Sequence, residues 1–155
     1  MFLPSCTNRV LAAIQKAAHV PLDMTGNNRS RSIHIPVRVI SEKGQIDAKA
    51  LLDSSAEGVY INTTYVKKHQ LPLQDLKQPI YPRNVDGTPN KNGAIRHATI
   101  VRMEMGDNHR ERVTFLVTDT GNHDMLLGTD WLKAHNPSID WARNQIHLDR
   151  CPPIC

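Results

Sequence analysis

Apolar and polar residues alternate with a period of two along much of this chain, the spacing of half-buried strands. Ile33, Ile35, Val37 and Val39 take turns with His34, Pro36, Arg38 and Ile40. Glu42-Lys43-Gly44-Gln45 reads as a hairpin turn, and residues 46–53 as the return strand. Pro36 has no N–H to give a neighbour, which points the first strand toward a sheet edge. Further strands are predicted over 59–61, 80–85, 94–105 and 112–117, with a final hairpin of 139–141 and 145–148. Asp86-Gly87-Thr88-Pro89-Asn90 is a dense turn signal, so 80–105 reads as a long hairpin with a polar tip.

Short helices punctuate this pattern. Asn62 or Thr63 is placed to cap one over 64–70, stopping before Leu71-Pro72. Thr129 is placed to cap another over 130–135, ended by Asn136-Pro137. A third is predicted over 8–19, where Val10, Leu11, Ile14, Ala17 and Ala18 share a face, followed by a linker-like stretch rich in Gly, Asn and Arg. The expected organisation is a helical extension and linker in residues 1–30, one mainly β domain in 31–150, and a tail in 151–155.

Composition narrows the partners. With 39% apolar and 22% charged residues, 155 residues are enough for one domain with its own core. Aromatics make up only 5%, too few for base-stacking platforms. The net charge of +4 comes from scattered residues, Arg29-Ser30-Arg31 and Lys67-Lys68 being the nearest to patches, so no nucleic-acid partner is expected through this domain. Cys6, Cys151 and Cys155 are an odd count that argues against a disulfide framework and suits a reducing compartment. Cys151-Pro152-Pro153-Ile154-Cys155 has no nearby second ligand pair. His97, His109, His123, His135 and His147 recur at the spacing of strands and turns and are assigned to surface or capping roles. No metal or cofactor is therefore expected. Trp131 and Trp141 are assigned to the core. No apolar run reaches the ~18 residues a membrane span needs, and residues 1–22 lack the features of a signal peptide. The expected location is intracellular and cytoplasmic.

Candidate chemistry centres on Leu51-Leu52-Asp53-Ser54-Ser55-Ala56, a polar corner between apolar runs. A carboxylate in such a place costs free energy unless hydrogen bonds or a charge-sharing partner stabilise it. Asp119-Thr120-Gly121 offers a second carboxylate, but Asn122-His123-Asp124 follows it where an apolar strand would be needed, and it reads as an ordinary turn.

The Asp53 segment resembles the active-site loop of retropepsin-type aspartic proteases: two apolar residues, Asp, Ser or Thr, Gly, Ala. Ser55 stands where that family has glycine. Leu126-Leu127-Gly128 is similar to the family's late motif, which packs beneath the loop. Thr129-Asp130-Trp131-Leu132, the block from Asn84 to Asn90 and Asn136-Pro137-Ser138-Ile139-Asp140-Trp141 resemble retrotransposon proteases of the Ty3/gypsy class.

The resemblance implies a closed, mainly antiparallel β-barrel acting as a homodimer on polypeptide substrate. It implies an aspartic endopeptidase that processes a retroelement Gag-Pol-type polyprotein, with the element's particles as a further expected location and Asp53 of each chain forming the dyad. Ser54 would brace the paired loops, and a flap bearing Asp86, Gly87, Thr88, Pro89 and Asn90 would close over substrate. Glycine serves in such loops where positive φ or close approach is needed, so Ser55 is expected to strain or crowd the site. The alternative is a catalytically impaired domain of the same fold, kept for dimerisation or peptide binding.

Overall fold

A computed structural model of the chain describes residues 32–84, 86–106 and 108–151. The helix expected over 8–19, most of the linker, and Cys6 and Cys155 lie outside the described residues.

The alternation of the first strands holds. β1 (His34–Ser41) and β2 (Gly44–Leu52) form an antiparallel hairpin in register from His34 opposite Leu51 to Ser41 opposite Gly44. Gly44 turns it at φ +113°, a conformation that a side chain would strain. β3 (Val59–Asn62) leads into α1 (Thr63–Lys68), whose first turn is capped by Asn62 Oδ1, accepting from the Thr64 N–H at 2.7 Å. β4 (Gln74–Ile80), β5 (Ile95–Met105), β6 (His109–Thr118) and β7 (Met125–Leu127) follow. Then come α2 (Thr129–His135) and a hairpin of β8 (Ser138–Asp140) and β9 (Gln145–His147).

The main sheet runs β1-β2-β7-β3-β6-β5, and β1 returns to β5 through Arg38–Ile40 opposite Arg102–Glu104. Six strands thus close into a barrel, and β4 pairs with the first half of β5 outside the ring. Pro36 is not on a free edge. It faces Lys49 of β2, two residues before the β5 pairing begins, so its missing N–H falls where β1 has one partner.

Most pairings are antiparallel, but β2–β7 and β3–β6 are parallel. β7 is inserted between β2 and β3, so the two strands flanking Asp53 are separated by a strand from far downstream. The core beneath is Ile35, Val37 and Val39 from β1, Val101 and Met103 from β5, and Phe115, Ile61, Met125 and Leu127, with Trp131 and Leu132 of α2 closing one side.

Three expectations are corrected. The strand foreseen over 80–85 is not formed among the described residues: β4 ends at Ile80 and only an isolated bridge joins Arg83 to Pro89, because Pro82 lacks an N–H and 86–90 coil into a turn. Thr129 does not cap α2; Gly128 is the N-cap without a side-chain bond, and the Thr129 hydroxyl instead lies 3.2 Å from the Glu57 carbonyl. Trp131 is buried at 3% exposure, but Trp141 is 45% exposed on the β8–β9 turn. Among the described residues no helix is long and apolar enough to cross a membrane.

Candidate active site

Asp53 is the first residue beyond β2. Its N–H continues the β2–β7 ladder to the Leu127 carbonyl at 3.0 Å, and its carbonyl accepts from Ala56 N–H at 3.2 Å, closing a tight turn. The half-buried carboxylate is engaged by its own loop. The Ser55 N–H donates to Oδ1 at 2.9 Å, and the Ser55 hydroxyl donates to the same oxygen. Among the described residues no hydrogen bond engages the Ser54 hydroxyl, and no second carboxylate is bonded to Asp53.

Ser55 does not carry the expected backbone strain. The non-glycine residues at positive φ among those described are Gln70, Asn136 and Asn144. Ser55 holds an ordinary conformation, with an exposed side chain turned onto its own loop's carboxylate.

The loop is held from below mainly by backbone. The N–H groups of Gly128, Thr129 and Asp130 donate to the carbonyls of Gly58, Ala56 and Glu57 at 2.9, 2.8 and 2.8 Å. These donors open α2, where a helix has no internal acceptor for them. A Cβ on Gly128 would lie 2.3 Å from the Gly58 oxygen and 2.5 Å from the Ala56 oxygen, so only glycine allows this approach. Leu126 and Leu127 belong to β7, which threads between β2 and β3 and sets the height of the loop.

Asp119 lies in a turn of a different kind. Its Oδ1 accepts from the Gly121 N–H at 2.8 Å, with Gly121 at φ +68°. Thr120 is buried, accepting from Asn62 Nδ2 at 2.9 Å and donating to the His123 carbonyl.

The expected flap is a structured, exposed turn. Asp86 Oδ1 accepts from the Thr88 hydroxyl at 2.6 Å and its N–H at 2.9 Å. These bonds hold the Asp86 carboxyl below the usual carboxylate range. Asn84 and Asn90 are joined at 3.2 Å, the Asn90 N–H reaches the Pro82 carbonyl at 3.1 Å, and Gly87 sits at φ +83°. Ile80 and Tyr81 are exposed on one arm. Asn92 Nδ2 ties the flap base to the Asp119 carbonyl at 3.2 Å.

The histidine reading fails at two positions. His109 and His135 are buried and meet Glu111, their ligand-type atoms all within 4.8 Å of one another. Twelve-residue spacing concealed this cluster. The usable signal was the strand period: His109 and Glu111 alternate inward with Val113 and Phe115.

A family model described as the PEG10/RTL1 protease domain matches residues 49–155. The fold is similar to that of the retroviral protease-like domain of Ddi1 from Leishmania major, at 18% identity and a TM-score of 0.50, covering 77% of this chain and 86% of that one. EIAV protease complexed with the inhibitor HBY-793 matches at 18% identity and a TM-score of 0.45, over 68% of this chain and 89% of that one. A retropepsin-like aspartic protease from Rickettsia conorii matches at 17% and 0.43, over 73% and 80%.

Two outcomes are expected from this geometry. Gly128→Ala should destabilise the domain by about 1–3 kcal/mol in urea unfolding, despite alanine's better helix propensity, because buried backbone must move. Amide exchange at residues 128–130 should accelerate with it. At Asp86 the depressed carboxyl means that the turn is intact above the usual carboxylate range and is lost as pH falls through the lowered value. Thr88 amide protection should therefore persist at pH 5 and disappear in Asp86→Ala.

Proposed function

The chain belongs to the PEG10/RTL1 protease domain family and has a retropepsin-like fold, and we propose that it is an aspartic endopeptidase whose site is completed by a second copy of itself. The observation that carries this is Asp53: a half-buried carboxylate, on a loop fixed by Gly128, with bonds from its own loop gathered on Oδ1. Peptide hydrolysis by carboxylates needs two of them sharing one proton. One takes a proton from water while the other polarises the scissile carbonyl. Two Asp53 loops facing across a two-fold axis supply this pair, and in that dimer the Ser54 hydroxyls brace them. The flap of residues 86–90 closes over an extended peptide, excluding water and offering backbone bonds. The substrate class is a Gag-Pol-type polyprotein, and the Asn84–Asn90 and Asn136–Trp141 blocks support a retroelement of Ty3/gypsy type.

A second reading is favoured by one observation. The Ser55 hydroxyl donates to Asp53 Oδ1, engaging one of the two oxygens open to a catalytic water. A domain in which that bond is permanent keeps the fold for dimerisation or peptide binding alone.

The test is incubation with a polyprotein carrying the chain's own flanking junctions, at mildly acidic pH, with a pepstatin-type inhibitor as control. Cleavage should vanish in Asp53→Asn with fold and dimer retained, and persist in Asp119→Asn. Specific activity should fall on dilution below the dimer dissociation constant. A constant rate from a species that light scattering shows to be monomeric would exclude the shared dyad.

Ser55 separates the two readings. If its hydroxyl restrains catalysis, Ser55→Ala and Ser55→Gly should raise turnover alike, by about tenfold. That corresponds to about 1.4 kcal/mol, within the scale of one hydrogen bond to a charged group. A gain confined to glycine would mean crowding of the paired loops. Inactivity of the wild type and both variants would favour the binding domain.

A further inference from the structure

On the side of the barrel where the start of β6 meets α2, two imidazoles and a carboxylate converge. His109 and His135 have side chains only 5% and 7% exposed, and Glu111 12%. His109 Nε2 lies 3.3 Å from Glu111 Oε1, and His135 Nε2 lies 2.7 Å from Oε2. Yet neither Nε2 makes an aligned hydrogen bond; both are buried without a hydrogen-bonding partner. Such atoms are expensive, since a buried polar group that has lost water needs a proton or a cation between it and its neighbour to compensate.

The proton inventory sharpens the point. His135 Nδ1 is 2.9 Å from the Trp131 carbonyl, and a carbonyl only accepts, so Nδ1 carries the hydrogen. In the neutral ring the lone pair is then on Nε2, aimed into the cluster. Glu111 is also acceptor-only when ionised. Between His135 and Glu111, lone pairs therefore face each other. Either a second proton sits on the imidazoles, or a cation sits between the three groups.

We propose that His109 Nε2, His135 Nε2 and the Glu111 carboxylate bind a zinc-type divalent cation that fastens β6 to α2. Two imidazole nitrogens and one carboxylate are a donor set suited to this borderline metal. With bonds of about 2.0–2.2 Å, neighbouring ligands of a tetrahedral ion stand about 3.3 Å apart, the separation His109 and Glu111 show; His135 Nε2, 2.7 Å from Glu111 Oε2, moves outward by about 0.6 Å to admit the ion. Water takes the fourth position. The surroundings are those of an oriented site: the Trp131 indole N–H donates to Glu111 Oε1 at 2.7 Å, and its ring stacks on His135 at 4.3 Å and 16°. The Trp131 carbonyl fixes the His135 tautomer, and Cys151 Sγ lies 3.8 Å from His109 Nδ1 on the outer side. The ion's role is structural. It pins the far end of the helix whose first residues hold the Asp53 loop.

The test uses the 155-residue chain stripped with chelator and titrated with zinc alone, then with cobalt(II). Zinc should bind one per chain with proton release, and raise the thermal midpoint by roughly 5–10 °C at a hundredfold excess over its Kd. His109→Gln, Glu111→Gln and His135→Gln should each lose affinity at least a hundredfold, while His34→Gln, at the surface His34–His123 contact, should not. Should the variants fail to fold, the wild type still decides. Zinc should shift the Nε2 nitrogen resonances of His109 and His135, and cobalt should give a four-coordinate visible spectrum without a sulfur charge-transfer band. No midpoint shift and unmoved Nε2 resonances would overturn the site in favour of a protonated ion-pair network. A sulfur band would also overturn it, placing the metal on cysteine.

Discussion

The structure depends on an exchange between two incomplete backbones. The loop from Ala56 to Gly58 leaves three carbonyls without strand partners, and α2 begins with three N–H groups that no helix can satisfy internally. Each shortage is the other's remedy. Because the contact is backbone to backbone, it requires the two segments to approach closer than any side chain permits, and Gly128 is the residue that grants this distance. Asp53 is thereby fixed from both sides: by β7 through its own N–H and by α2 through the residues that follow it.

Much of this was legible because it rests on short-range pattern. The period of two in β1 marks Ile35, Val37 and Val39 as inward, and they are buried. The polar corner at Asp53 and the Leu126-Leu127-Gly128 motif are visible as strings, and the structure brings them into contact. Their reason was less visible: nothing in the string says that Gly128 is needed for closeness and not for φ. Ser55 misled for the converse reason. A non-glycine where the family has glycine suggests strain, but strain depends on a dihedral angle, and here that angle is ordinary. Trp141 misled because a large aromatic predicts burial on average, and a hairpin turn offers no second layer to bury it.

The buried cluster was illegible from spacing because its members come from different elements. His109 and Glu111 share a strand face; His135 arrives from the last turn of α2, four residues after the Trp131 that it stacks upon. Only tertiary structure places them together. The same helix thus holds both the loop clamp at its start and the charged cluster at its end, so the two are mechanically joined through one seven-residue element.

The parallel pairing of β2 with β7 also governs timing. Asp53 is made before the strand beside it and the donors beneath it, which belong to residues 125–130. Until those residues have left the ribosome, the carboxylate has no fixed height and no fixed neighbours. Contacts of such sequence separation are slow to close, since the loop entropy must be lost before any bond forms. A chain cut short before Gly128 lacks the donors that hold residues 56–58, so the Asp53 loop takes its fixed position only once residues 125–130 have been made.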